Sequence, residues 1–150
     1  MATNHQILGT MGEDFVRRNI SCPRCKRSKQ TLRMLPPNFR CADLICDFCG
    51  YLAQVKTSNT KDITKCPNSI LGAAWGPQKD RMQAGIYFPL FIVLVDSKQK
   101  DRAIYYLPAD LQTSEMFEPR KTLSAAAKRP GWQGYIINLT KATAQPIRIK

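Results

Sequence analysis

The stretch Ala42-Asp43-Leu44-Ile45-Cys46-Asp47-Phe48-Cys49-Gly50-Tyr51-Leu52-Ala53-Gln54-Val55-Lys56-Thr57-Ser58 decides how this chain is read. At its centre lies a Cys-x-x-Cys pair, Cys46 and Cys49, and a second pair, Cys22-Pro23-Arg24-Cys25, lies 20 residues upstream. Two thiolates on a tight turn aim at one point, and two such turns complete a tetrahedron around zinc. Disulfides are the rival reading, but CxxC turns in a reducing compartment favour a metal over a cross-link. A shell of four thiolates leaves no position open for water, so the expected role is structural, worth on the order of 10–16 kcal/mol to the folded state. Cys41 and Cys66 remain over; both read as small buried hydrophobes, with Cys41 also a substitute ligand.

The second turn also serves as a ruler. Asp43 stands three residues before Cys46 and Gln54 five after Cys49, so a hairpin folded about that turn sets the two side chains opposite one another. Gln54 and Lys56 are two apart and share one face of a strand. An Asp, a second oxygen donor and a Lys converging at one end of a hairpin suit phosphodiester hydrolysis. The oxygens hold magnesium, which neutralises phosphate charge and activates water, and the Lys orients or deprotonates the nucleophile. As a bare pattern, D-x10-Q-x-K equally describes three polar residues on a solvated strand.

Outward from the hairpin, Thr10-Met11-Gly12-Glu13 fits a helix start, with Thr10 as N-cap and Glu13 closing a capping box. That helix is predicted to run to about Asn19, with Phe15 and Val16 on its buried side. Residues 26–38 read as a basic loop ending in Pro36-Pro37. Strands are predicted at Arg40–Ile45 and Tyr51–Lys56, then a polar loop over 57–72 and a helix over Ala73–Ala84. Further strands follow at Ile86–Val95 and Ala103–Leu107, turning at Lys98–Asp101. A basic loop with Arg129-Pro130-Gly131-Trp132 precedes a last strand at Gly134–Leu139. Strands with two helices make an α/β or α+β domain.

Composition bounds the partners. The chain has 150 residues, 43% of them hydrophobic and 23% charged, values that suit one globular domain with a single core. The net charge is +12, and it is regional: residues 15–42 hold eight basic side chains and residues 119–150 seven, with no acid in either stretch. Such surfaces gain by releasing counterions from a phosphate backbone, which points to nucleic acid. The longest apolar run, Ile86 to Val95, falls short of the roughly 18 residues of a membrane span. The amino terminus lacks an export pattern, so a cytoplasmic chain with no membrane partner is expected. Histidine-based metallohydrolase chemistry is disfavoured, because His5 is the one histidine.

Four segments together resemble the DpnI or Dam-replacing family of restriction endonucleases. They are Gly12-Glu13-Asp14-Phe15-Val16, the Cys22–Cys25 turn, Ala42–Cys49, and Gln54-Val55-Lys56-Thr57-Ser58. The resemblance resumes at Ala73-Ala74-Trp75, at Arg81–Ala84, at Leu107-Pro108 and at Lys128–Gly134 leading into Ile136–Leu139. It implies a PD-(D/E)xK nuclease core, a mixed sheet flanked by helices with a zinc module at the catalytic hairpin. It further implies a methyl-directed type II restriction endonuclease, dependent on magnesium with manganese able to substitute, acting on adenine-methylated double-stranded DNA at GATC-type sites. By resemblance, Asp43 is the metal-binding Asp and Lys56 the catalytic Lys. Magnesium would be held by Asp43, Gln54 and the backbone carbonyl of Val55. Glu13 adds a distant carboxylate, unless capping is its whole role. Trp132 would meet the DNA bases and their methyl groups, or else anchor its loop. Lys128 and Arg129 would touch phosphates, or Arg129 a guanine. Arg24, Lys26, Arg27 and Lys29 either track the backbone or are a solvated loop.

Two departures qualify the resemblance. Gln54 stands where the family pattern has Glu, and one fewer negative charge weakens magnesium binding. The nuclease core is expected to be a single domain, with the winged-helix reader of the DpnI pattern missing after Lys150. The competing readings are a catalytically inactive zinc-containing DNA-binding module and an RNA-binding zinc ribbon. The latter lacks the interleaved aromatics that single-strand stacking uses.

Overall fold

A computed structural model describes residues 2–37, 39, 42–74, 76–98, 101–121, 126 and 133–150. It is a mixed α+β fold. Helix α1 (Asn4–Asn19) leads into the short strands β1 (Leu32–Met34) and β2 (Leu44–Cys46), then the long β3 (Leu52–Thr60) and β4 (Ser69–Ala74). Helix α2 (Gly76–Gln83) precedes β5 (Leu90–Asp96), β6 (Arg102–Leu107), β7 (Phe117–Pro119), β8 (Gln133–Asn138) and β9 (Ile147–Arg148).

Six strands form the main sheet in the order β1-β2-β3-β5-β6-β9, and β4-β8-β7 form a second sheet. Only β3 and β5 run parallel among these pairs, Gln54 facing Leu90 and Lys56 facing Ile92; the other pairings are antiparallel. Strand β5 explains the layering. A strand covered on both faces reads as a continuous apolar run, and Leu90–Val95 is buried throughout. Phe91, Val93 and Val95 join Val16, Ile20, Leu44 and Val55 in a core beneath α1. Leu90, Ile92 and Leu94 join Ile70, Met116, Ile137 and Leu139 in a second core beneath the three-stranded sheet. The main sheet is thus the middle layer, and each apolar side chain it buries contributes about 1.5–3 kcal/mol.

Several expectations need correcting. Helix α1 begins at Asn4, not after Thr10: Thr3 is the N-cap, and Thr3 and Gln6 make the capping box. Thr10 and Glu13 are therefore mid-helix, and Glu13 has no cap to close. The expected basic loop over 26–38 contains β1. The strand expected at Arg40–Ile45 is confined to Leu44–Cys46, with residues 40 and 41 outside the described ones. The polar loop expected over 57–72 is largely strand, because β3 continues to Thr60 and β4 starts at Ser69. Ala73 and Ala74 close β4 rather than open α2, paired with Gly134 and Gln133. Residues 86–89 precede β5 instead of belonging to it. The loop with Lys128, Arg129 and Trp132 lies outside the described residues. No described helix is long and apolar enough to cross a membrane.

Candidate active site and metal centre

The two CxxC turns are built alike. In each, the N–H four residues after the first cysteine donates to that cysteine's carbonyl: Lys26 to Cys22 and Gly50 to Cys46, both at 2.9 Å. The residue making this bond is left-handed, with φ of 52° at Lys26 and 78° at Gly50. The first turn follows directly on the end of α1; the second joins β2 to β3. Together they bring Cys22 Sγ within 3.6 Å of Cys49 Sγ, and Cys25 Sγ within 3.8 Å of Cys46 Sγ. All four sulfurs lie within 4.8 Å of one another. Zinc–sulfur bonds of about 2.3 Å in a tetrahedron require sulfur–sulfur edges of about 3.8 Å, so the four cysteines fit zinc. Burial pushes the Cys22 thiol up to about 12. Cys46, although burial acts on it in the same sense, is drawn down to about 6 by the Thr31 hydroxyl 3.1 Å away and the N–H groups of Cys49 and Phe48. Cys66 is half-buried against the second core, outside this cluster, and Cys41 lies outside the described residues.

The zinc hairpin sets the register of the candidate catalytic residues. Ile45 faces Leu52 and Leu44 faces Ala53, and beyond that pair Asp43 leaves the register and lies against Ala53 and Val55. The ladder ends there, and Asp43 takes over where it stops. Its N–H donates to Ala53 O at 2.9 Å, and its carboxylate Oδ2 accepts from Val55 N–H at 2.8 Å. The N–H and C=O of one strand residue point to the same side. The Val55 carbonyl is therefore turned toward Asp43, whereas the N–H of Gln54 donates away from it to Pro89 O at 2.8 Å.

Glu13 reaches the same place from above the sheet. At Gly12, α1 approaches β3 so closely that a Cβ there would meet Thr57 Oγ1 at 1.8 Å. This close approach brings the next residue, Glu13, within electrostatic reach of Asp43 and Lys56. Burial and the Asp43 charge push the Glu13 carboxyl up to about 7, against the opposing pull of Lys56. Asp43 is likewise raised by burial, with Lys56 and the Val55 N–H acting the other way. Two half-buried carboxylates against one ammonium leave a negative surplus that partial desolvation makes unfavourable. A divalent cation relieves it, so the donor set fits a hard cation such as magnesium. Lys56 runs past Gly72 of β4, where a Cβ would stand 3.7 Å from Lys56 Cε. The Gln54 side chain lines a cavity of about 20 Å³ with Gln78 and Arg81 of α2 and with Gln112.

Glu13, Asp43 and Lys56 are thus gathered into one cluster, and Gln54 lies beside α2. Trp132, Arg129 and Lys128 fall outside the described residues. The contribution that the sequence hid is Gly12, whose one outward sign is a glycine in the middle of a helix. Residues 1–147 match the sequence model of the DpnI Dam-replacing family, nearly the whole length of the chain. The chain therefore belongs to the Dam-replacing family, a family of restriction endonucleases.

Proposed function

We propose that this chain is a magnesium-dependent endonuclease of the PD-(D/E)xK type, acting as one zinc-containing domain. It cleaves double-stranded DNA at adenine-methylated sites of the GATC kind, as a methyl-directed type II enzyme. The observation that carries this reading is the Glu13–Asp43–Lys56 cluster on the hairpin of a chain from this family. Asp43, Glu13, the Val55 carbonyl and the Gln54 amide oxygen would hold magnesium, with manganese as a substitute. Such a cation supplies charge neutralisation at the phosphate and an acidified water. The protein's own part is positional. The Val55 N–H fixes the Asp43 carboxylate, while Glu13 gives up its raised proton when the site fills. Lys56 Nζ holds the attacking water or takes its proton. Trp132 would meet the methyl groups in the major groove, with Lys128 and Arg129 on the backbone or Arg129 on a guanine.

The deciding experiment is magnesium-dependent cleavage of one plasmid prepared with and without adenine methylation, with Lys56→Ala alongside. Discrete fragments from the methylated form alone, absent with Lys56→Ala, are expected. Cleavage of both forms would remove the methyl reading and keep the nuclease. Gln54, neutral where the family pattern is acidic, favours one second reading: a zinc-containing module that binds methylated DNA without cutting it. Binding with no cleavage in magnesium or manganese would establish that reading instead.

A further inference from the structure

An open cleft of about 430 Å³ lies where β3 and β5 begin and β6 ends, away from the carboxylate cluster. Tyr51, Tyr87, Phe88 and Tyr106 line it together with Pro89, and Arg24 of the first zinc turn closes one side. The rings are held from behind. Tyr106 packs on Phe91 with centroids 5.1 Å apart, and Tyr87 stacks on Phe117 at 5.4 Å. The hydroxyls of Tyr51 and Tyr106 are hydrogen-bonded to each other, and the Arg24 guanidinium sits over the Tyr51 ring, 5.3 Å from its centroid. None of the three tyrosine rings can swing without losing one of these contacts, so these walls are set before any ligand arrives.

The lining defines the chemistry of an occupant. Flat aromatic walls take a flat aromatic ring by stacking, and a guanidinium beside them takes a phosphate. Arg24 pairs with no carboxylate among the described residues, so its charge is available to an anion. The Tyr51 and Tyr106 hydroxyls face the cleft as a hydrogen-bonded pair. One of its two hydrogens is used internally, which leaves a donor and lone pairs for the polar edge of a base. The volume lies in the range of small-molecule sites and excludes a duplex. Leu52 on the cleft wall and Lys56 are four residues apart on one strand, about 13 Å at roughly 3.3 Å per residue. That length is about four base steps of duplex at 3.4 Å each.

We propose that this cleft receives one nucleobase turned out of the stack of the DNA substrate, a few steps from the cleaved bond, with its flanking phosphate on Arg24. The proposal rests on the reading of DNA as the substrate. An extruded base costs a few kcal/mol of stacking, and a preformed aromatic wall returns it.

The test uses the full zinc-loaded chain without magnesium, bound to adenine-methylated duplexes carrying 2-aminopurine at each position in turn. Anisotropy of a distant dye reports binding, and 2-aminopurine emission reports unstacking. Emission is expected to change several-fold at one position. Tyr87→Ala and Arg24→Gln should at least halve that change while still binding DNA, and Tyr87→Phe, which keeps the ring, should preserve it. Bound DNA with unchanged emission at every position would overturn the cleft proposal and leave the DNA reading standing. An emission change that survives both Tyr87→Ala and Arg24→Gln would equally overturn it. Absence of binding to any duplex would overturn both.

Discussion

Substituting Gly12 by Ala tests whether the approach of α1 to β3 places Glu13. The added Cβ would stand 1.8 Å from Oγ1, 3.0 Å from Cβ and 3.1 Å from Cγ2 of Thr57. Rotating the Thr57 side chain can turn its hydrogen toward the new Cβ, but Thr57 Cβ itself then still stands 3.0 Å away, so no rotamer restores an ordinary contact. In the present rotamer the helix must lift from the strand by about 1.6 Å to bring Oγ1 out to 3.4 Å. Overpacking of this kind costs about 1–3 kcal/mol. Ala returns about 1 kcal/mol over Gly in a helix interior. A net loss of up to about 2 kcal/mol lowers Tm by up to roughly 8 °C in a chain of this length. Glu13 travels with the helix, and a misplacement near 1 Å at a reacting centre costs about 100-fold in rate. Thr57→Ala removes both branches and leaves only its Cβ, at 3.0 Å, so Gly12→Ala made in that background should cost less, a coupling of about 1–2 kcal/mol. The assay is a double-mutant cycle read by thermal unfolding of zinc-loaded protein and by plasmid cleavage across a magnesium series. Additive effects in the cycle, or a Gly12→Ala protein with raised Tm and unimpaired cleavage, would refute the reasoning.

Burial and the Asp43 charge hold the Glu13 carboxyl up at about 7 in the fold, against 4.5 for a free glutamate. The folded state therefore holds this proton to higher pH, so the Glu13 contribution to magnesium-free stability is full below about 4.5 and is lost as pH rises through 7. Glu13→Gln should flatten that decline in Tm measured from pH 5 to 8, and an unchanged slope would show that Glu13 is not its source. By the same linkage, half-saturating magnesium should fall as pH rises through 7 in a cleavage titration. Gln54→Glu restores a charge to the proposed magnesium shell and should lower half-saturating magnesium about tenfold, equivalent to about 1.4 kcal/mol; an unchanged requirement would place residue 54 outside that shell. Because four thiolates of this kind bind with about 10–16 kcal/mol, stripping zinc should unfold the chain rather than merely silence it. Circular dichroism through a chelator titration that stayed native as zinc was lost would contradict this.

What the sequence made readable was whatever short-range geometry enforces. A CxxC turn aims its sulfurs wherever it occurs, whereas counting outward from Cys46 and Cys49 pairs Asp43 with Gln54 and misses that its bonds go to Ala53 and Val55. The start of α1 was misread because Thr3-x-x-Gln6 and Thr10-x-x-Glu13 carry the same cap signature, and only the longer helix covers the sheet. Residues 57–60 look like loop because their polar side chains face no apolar partner. They are strand because β5 supplies the hydrogen bonds, from Thr57 facing Val93 to Thr60 facing Asp96. Ala73 and Ala74 have helical propensity, overridden by pairing with β8. Glu13 was ambiguous for a deeper reason. Its place depends on how closely helix and strand approach, a distance set by Gly12 and Thr57, which lie 45 residues apart.

The bond from Val55 N–H to the Asp43 carboxylate bears on how loss of activity would look in descendants of this chain. Asp43→Ala deletes the proposed magnesium ligand and also strands a buried donor, at about 1–3 kcal/mol. A lineage that no longer cuts DNA therefore remains under selection to keep an oxygen at position 43, and Asp or Asn there says little about catalysis. The Lys56 side chain makes no hydrogen bond with the fold among the described residues, so it is free to drift once cleavage is abandoned. On the proposed roles, position 56 is the better register in surveys of relatives of which copies still cut, and Asp43→Asn a cleaner inactive control than Asp43→Ala.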